Sequence, residues 1–278
     1  MRILTAIILS VALVSGLPAY NNRGVNSPPA DLQEAPLSEF EFKLNVALRG
    51  IEITKYNGTA EKVRIPETVE GSPVTGIGSS AFEGNSGITY VYIPDSVTSI
   101  GARAFMYCAN LTDVIIPQNV VSIGQGAFCG VTGLTSVTIP GSVTNSGDNV
   151  FQDCKNLASV TILDGVTGIG VGTFSGCTNL ASVTIPGSVT SIGGSAFRNC
   201  TALKSIALPD SVTSIGAWSR SSIDGLGYAV RDTGAFDGCE TLTSATYRGK
   251  TYSVQRHSDR YMEWFDLPQE FYDAVNGY

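Results

Sequence analysis

From about residue 60 the chain is written in one repeating hydrophobic pattern. In residues 94–116 small or apolar side chains stand at Val97, Ile100, Ala104, Phe105, Cys108, Leu111, Val114 and Ile116, and nearly the same set returns in each following stretch. Phenylalanine marks the period most plainly: Phe82, Phe105, Phe128, Phe151, Phe174 and Phe197 lie 23 residues apart, and Phe236 follows after 39. Proline keeps the same step at 94, 117, 140, 186 and 209, with Leu163 where one more is due. Within Leu134-Thr-Ser-Val-Thr-Ile-Pro140, Val137 and Ile139 alternate with Ser136 and Thr138, the period-two signature of a strand buried on one face. Pro140 has no amide hydrogen and ends that ladder. The recurring Ser-Val-Thr-Ser-Ile-Gly predicts a second extended stretch, whose glycine permits a turn into a short helical Ala-Phe segment.

One such unit holds too few apolar side chains to offset the ordering of its own 23 residues, so units must bury each other's faces. The expected fold is therefore a repeat solenoid with parallel strands, a horseshoe or rod of about seven 23-residue repeats over residues 60–246. The step of 39 is 23 plus 16, which places an insertion at residues 217–232. Solenoid ends need covers. Phe40, Phe42 and Leu44 face Ile51 and Ile53 across a turn near Arg49-Gly50, predicting an N-terminal capping hairpin within 39–59. A C-terminal cap over 247–278 is read from a hairpin between Tyr247 and Val254. A short helix follows, with Asp266 near its N-cap, Pro268 in its first turn and Gly277 beyond its end. Three copies depart from the pattern: Ser146 stands for isoleucine, Leu163 for proline, and five extra residues fall around Gly71 to Val74.

The run Leu111-x-x-Val114-x-Ile116-Pro117-x-x-Val120-x-x-Ile123-Gly124-x-x-Ala127-Phe128 resembles the BspA-like, or Treponema-type, leucine-rich repeat. The resemblance extends over about residues 60–250. It implies a leucine-rich-repeat solenoid on exported or cell-surface proteins, many of them associated with adhesion or protein binding. It implies no particular ligand, because such families share the scaffold and vary the surface.

At the N-terminus, Met1 and Arg2 lead into the apolar run 3–14 and then the small residues Ser15, Gly16 and Ala19, the order of a secretory signal peptide spanning 1–19. The run is too short to span a bilayer, so no membrane span is expected after cleavage. Residues 20–38, with Pro28, Pro29 and Pro36, read as a flexible leader. Secretion or display at the cell surface is the expected address.

Composition narrows function mainly by exclusion. With 24 acidic against 17 basic side chains and a net charge of -7, the chain offers little to nucleic acid. A single histidine, His257, argues against a multi-histidine metal site, and its polar surroundings give no reason to expect a triad. Neither an enzyme nor a cofactor is expected. Of six cysteines, Cys108, Cys154, Cys177, Cys200 and Cys239 each fall three residues after a ladder phenylalanine, so their spacing is that of the repeat. They are expected as buried thiols, although adjacent rungs would lie within disulfide range. Cys129 sits outside the inward set and is expected to be the exposed thiol.

Two surfaces are candidates for binding. The insertion combines Trp218 and Tyr228 with Arg220 and Arg231, residue types enriched at interface hot spots; a tolerated insertion folded back on the rod is the alternative. The outward strand positions form two rows of mostly Ser and Thr, with Tyr90 and Tyr92 near one end as the best anchoring contacts. An extracellular or cell-surface protein is the expected partner. The second reading is a polysaccharide-binding or structural envelope protein that uses the hydroxyl face.

Overall fold

The computed structural model describes residues 32–216, 219–223, 229–232, 234–258, 263–266 and 269–277, with side chains over 32–216, 234–254 and 270–277. The expected signal peptide and most of the leader lie outside the described residues. The described chain is a parallel β-solenoid of about seven turns, with little helix. Each turn carries two short strands, and each strand pairs in parallel with its counterpart one turn away. On one side Ser136–Ile139, Ser159–Ile162 and Ser182–Thr184 stack in register, Val137 on Val160 on Val183. On the other, Gly168–Ile169, Ser191–Ile192 and Ser214–Ile215 do the same.

At the start, β1 (Phe40–Asn45) and β2 (Gly50–Tyr56) form an antiparallel hairpin, followed by β3 (Lys62–Arg64). The extra residues of the first copy form a second hairpin between β4 (Thr68–Val69) and β5 (Ser72–Ile77), and β5 pairs in parallel with β2. Its two-residue turn needs Glu70 and Gly71 both at positive φ, 50° and 78°, the geometry that matches strand twist in tight hairpins.

Phenylalanine forms the spine. Rings from Phe82 to Phe236 stack one on the next with centroids 4.9–5.8 Å apart. Tyr56 and then Phe40 continue the column at the N-terminal end, and Phe271 meets Phe236 edge-on at the other. Phe271 belongs to the helix Gln269–Asn276, which finishes the rod in a further way. The Asn276 side chain accepts from the Ile215 amide at 2.9 Å and donates to the Ile215 carbonyl at 3.3 Å, replacing the rung that a next repeat would have supplied.

The predicted helical Ala-Phe segment is instead a chain of tight turns. Residues of positive φ bracket it four positions apart, Arg103 and Tyr107 in one copy, Gly126 and Gly130 in the next, Asn149 and Asp153 in the third. A left-handed residue on each side stops helical propagation, and the amides bond outward. The Phe105 amide donates to the Ala127 carbonyl one turn on, at 2.7 Å, and that of Phe128 to Val150 at 2.8 Å. Polar backbone is thus satisfied between turns rather than along a helix.

The two copies with a substituted residue show what the usual residue does. At Leu163, where proline is due, the amide donates to the Ile139 carbonyl at 3.0 Å, a bond proline could not make. Ser146 is only half-buried where other copies place a buried isoleucine, and the ladder that contains it ends there, before a separate three-stranded ladder starts at Gly168.

All six cysteines are free and buried. Five place the thiol against a carbonyl of the preceding turn, as Cys154 does to Phe128 at 3.2 Å and Cys177 to Phe151 at 3.2 Å. Cys129 corrects the sequence reading: it is only 7% exposed. Its side chain is outside the inward set, but Met106 and Gln152 hold the same position one rung away on either side, and rungs about 4.8 Å apart leave a small side chain covered. Burial pushes the Cys108 thiol up to about 12, and raises those of Cys129, Cys154, Cys177 and Cys200 as well. Since the thiolate is the reactive species, the native protein should leave all six thiols unmodified by a disulfide-exchange reagent at pH 8, and release all six on unfolding. A thiol that titrates rapidly in the native state would contradict this burial.

Candidate functional site

The expected rows exist. Ser136, Ser159 and Ser182 are successive partners on one ladder and all are exposed; Thr138, Thr161 and Thr184 form the parallel row beside them. Beneath each outward hydroxyl sits an inward valine or isoleucine, so the core fixes the spacing of the face. Other recurring hydroxyls are absorbed by the scaffold. Ser96, Ser142, Ser188 and Ser211 donate at 2.7–2.8 Å to the carbonyls of Val74, Val120, Val166 and Val189, each one turn earlier.

At the N-terminal end the face changes character. Lys62, Tyr90 and Asp113 share one row, and Arg64 is the register partner of Tyr92 in the other. Tyr90 is half-buried, its phenol raised by burial and then by the Asp113 carboxylate. Tyr92 differs from expectation, because it is 8% exposed rather than open on the face. The Arg64 guanidinium lies over its ring at 5.7 Å, and Glu67 holds that guanidinium at 3.4 Å. Burial first, and then the charges of Asp95 and Glu67, raise the Tyr92 phenol.

The ring lines a shallow cleft of about 250 Å³ with Glu67, Thr68, Pro73, Pro94, Asp95 and Ser96. The repeat pattern does not mark Arg64, Glu67 or Asp95. The five extra residues move Arg64 to 28 positions before Tyr92, so the regular step of 23 does not align them. The β4–β5 turn that causes the offset also supplies Thr68 and Pro73 to the cleft wall.

The insertion is an antiparallel ribbon, Ser219–Ile223 against Ala229–Asp232. Arg220 and Arg231 lie in its strands, while Trp218 and Tyr228 lie outside the described residues. The rod closes beneath it without a break. Phe197 and Phe236 stack at 5.5 Å with planes 5° apart, the Ala235 amide donates to the Gly216 carbonyl at 3.1 Å, and Ser205–Ala207 pairs in register with Ser244–Tyr247. The ribbon is thus added to a solenoid that does not need it for stacking.

Among the described residues, no group of three or more His, Cys, Asp or Glu is gathered where it could hold a metal ion, and no helix is long and apolar enough to cross a membrane. His257 pairs with Trp264 in a two-stranded ribbon, Gln255–Ser258 against Glu263–Asp266.

The repeats match the family model described as BspA type leucine rich repeat region in six copies, over residues 53–181 and 98–226. No curated protein matches the chain. Among solved structures, a leucine rich repeat protein of T. pallidum is 30% identical with a TM-score of 0.54, over 62% of this chain and 91% of that one. A leucine rich cell surface protein from Faecalibacterium prausnitzii is 34% identical with a TM-score of 0.65, over 86% of this chain and 60% of that one.

Proposed function

Because this chain belongs to the BspA-type leucine-rich repeat family, we propose that it is an exported binding module that captures a protein outside the cell or at its surface, through the ribbon at 217–232. The observation that carries the reading is the uninterrupted stack below that ribbon. A 16-residue addition that the stack of turns does not require costs ordering entropy, and its Trp218, Arg220, Tyr228 and Arg231 are of the types that dominate interface energies. Export follows from the charged, apolar and small residues of 1–19, and display at a surface is supported by the cell-surface protein of F. prausnitzii.

The rows of Ser136, Ser159 and Ser182, all exposed, and of Thr138, Thr161 and Thr184, the first half-buried and the other two exposed, favour a second reading, a polysaccharide laid along the hydroxyl face. One experiment separates the two. The full chain and its Trp218→Ala and Thr161→Lys variants are immobilised in parallel, and retained surface proteins and glycans are quantified. The protein-binding reading expects Trp218→Ala to lower retention of a protein by tenfold or more, in the range of about 2 kcal/mol for a hot spot, with Thr161→Lys close to the parent. Glycan retention lost in Thr161→Lys alone would move the function to the strand face.

A further inference from the structure

Four of the seven exposed large apolar side chains among the described residues fall within ten positions of sequence: Leu37, Phe42, Leu44 and Val46. Phe42, Leu44 and Val46 are 41%, 67% and 78% exposed. Phe42 and Leu44 lie in β1, which among the described residues forms an edge of its sheet and pairs with β2 alone. Edges of this kind are ordinarily blunted by proline, by charge or by a covering element, since their unpaired backbone groups template another strand. β1 carries no proline, and its two charges, Glu41 and Lys43, are of opposite sign and so block a foreign strand but not a copy of themselves set antiparallel. Phe42 and Leu44 are register partners of the buried Ile53 and Ile51, so they stand on the core side of the strand at a place where the core has ended.

We propose that two copies of this chain join head to head by pairing their β1 edges antiparallel, with Phe42 opposite Phe42 of the second copy. The register follows from the strand itself, Phe40-Glu41-Phe42-Lys43-Leu44, which is symmetric in character about Phe42. A two-fold axis there sets Glu41 opposite Lys43 of the second copy and Lys43 opposite its Glu41, while Phe40 and Leu44 face each other. Opposite charges directly across an antiparallel pair are favourable, and a self-complementary contact counts each pair twice. Shifting the axis to Leu44 would set Lys43 against Asn45 and Glu41 against Ala47, and the charge match is lost. Glu41 and Lys43 now hold Asn57 at 3.0 Å and Glu52 at 2.9 Å, both at exposed positions of β1, where such contacts exchange at little cost. The paired rods would share a continuous sheet and carry one insertion ribbon each near the far ends, which adds avidity toward a repeated target.

The test is sedimentation of the full chain over a concentration series, beside Glu41→Lys, Lys43→Glu and the double exchange, with melting curves to show that each folds. The parent should self-associate reversibly. Each single change, which sets like charges opposite at two places, should weaken the dimer about tenfold or more, and the double exchange should restore it. Phe42→Cys gives an independent readout. With the six native thiols buried, it should form an interchain disulfide under mild oxidation, suppressed when Glu41→Lys is added. A chain monomeric at every concentration, or a dimer indifferent to the charge exchanges, would overturn the proposal.

Discussion

Phe128→Ala should destabilise the protein by about 3–5 kcal/mol, the range for removing a fully buried aromatic side chain from a packed core. Phe128 has no exposed surface and stacks on Phe105 at 5.2 Å and on Phe151 at 5.3 Å. Its loss therefore opens a gap in the middle of the aromatic column rather than at an end. In a solenoid each turn is supported mainly by its two neighbours, so the rod has nothing distant with which to close such a gap. Chemical denaturation of parent and variant checks the value. A loss below about 1 kcal/mol would mean that the column is not the continuous core described.

Gly193→Ala should also be clearly destabilising although it adds only a methyl group. A Cβ built at Gly193 would lie 2.6 Å from the Val171 amide nitrogen and 2.8 Å from the Gly170 carbonyl carbon, both main-chain atoms of the preceding turn. Neither can move aside without shifting the whole rung, and overpacking of this kind costs about 1–3 kcal/mol. Gly187→Ala is the matched control, because nothing lies within 4 Å of its Cβ. That change should be neutral or slightly stabilising through a less mobile unfolded chain. Equal melting temperatures for the two alanine variants would rule out close approach as the reason for glycine at 193.

This glycine shows how a correct sequence signal carried an incomplete cause. Ile-Gly recurs with the period, and turn freedom is the cause that the sequence suggests for the glycine after isoleucine. At Gly101 and Gly193 the backbone is not at positive φ, and what excludes a side chain is the turn below. Positive φ falls before the ladder Ala-Phe or its equivalent at Gly126, Asn149 and Gly172 and after it at Gly130, Asp153 and Gly176, but Arg103 and Tyr107 fill the same places in another copy, so residue type alone does not mark them. A left-handed residue every four positions argues against a helix, but the short Ala-Phe pair hid that signal.

The strand rows were legible because alternation and period together fix both face and register. Tyr92 was not, because its burial depends on Arg64, which the five-residue hairpin insertion shifts out of the regular step. The burial of Cys129 escapes the sequence pattern for a related reason. Inward and outward positions describe one turn, whereas exposure in a stack depends equally on the turns above and below. The asparagine clip at Asn276 has no sequence signature, since it bonds to Ile215, 61 residues away.

The most direct measurement of the account removes residues 217–232, joining Gly216 to Thr233, and follows both the melting curve and the retention of surface proteins by the immobilised chain. The stack from Phe197 to Phe236 predicts a melting temperature within a few degrees of the parent, and the proposed function predicts loss of the retained protein. A folded deletion variant that retains the same protein as well as the parent would contradict the assignment of binding to the ribbon.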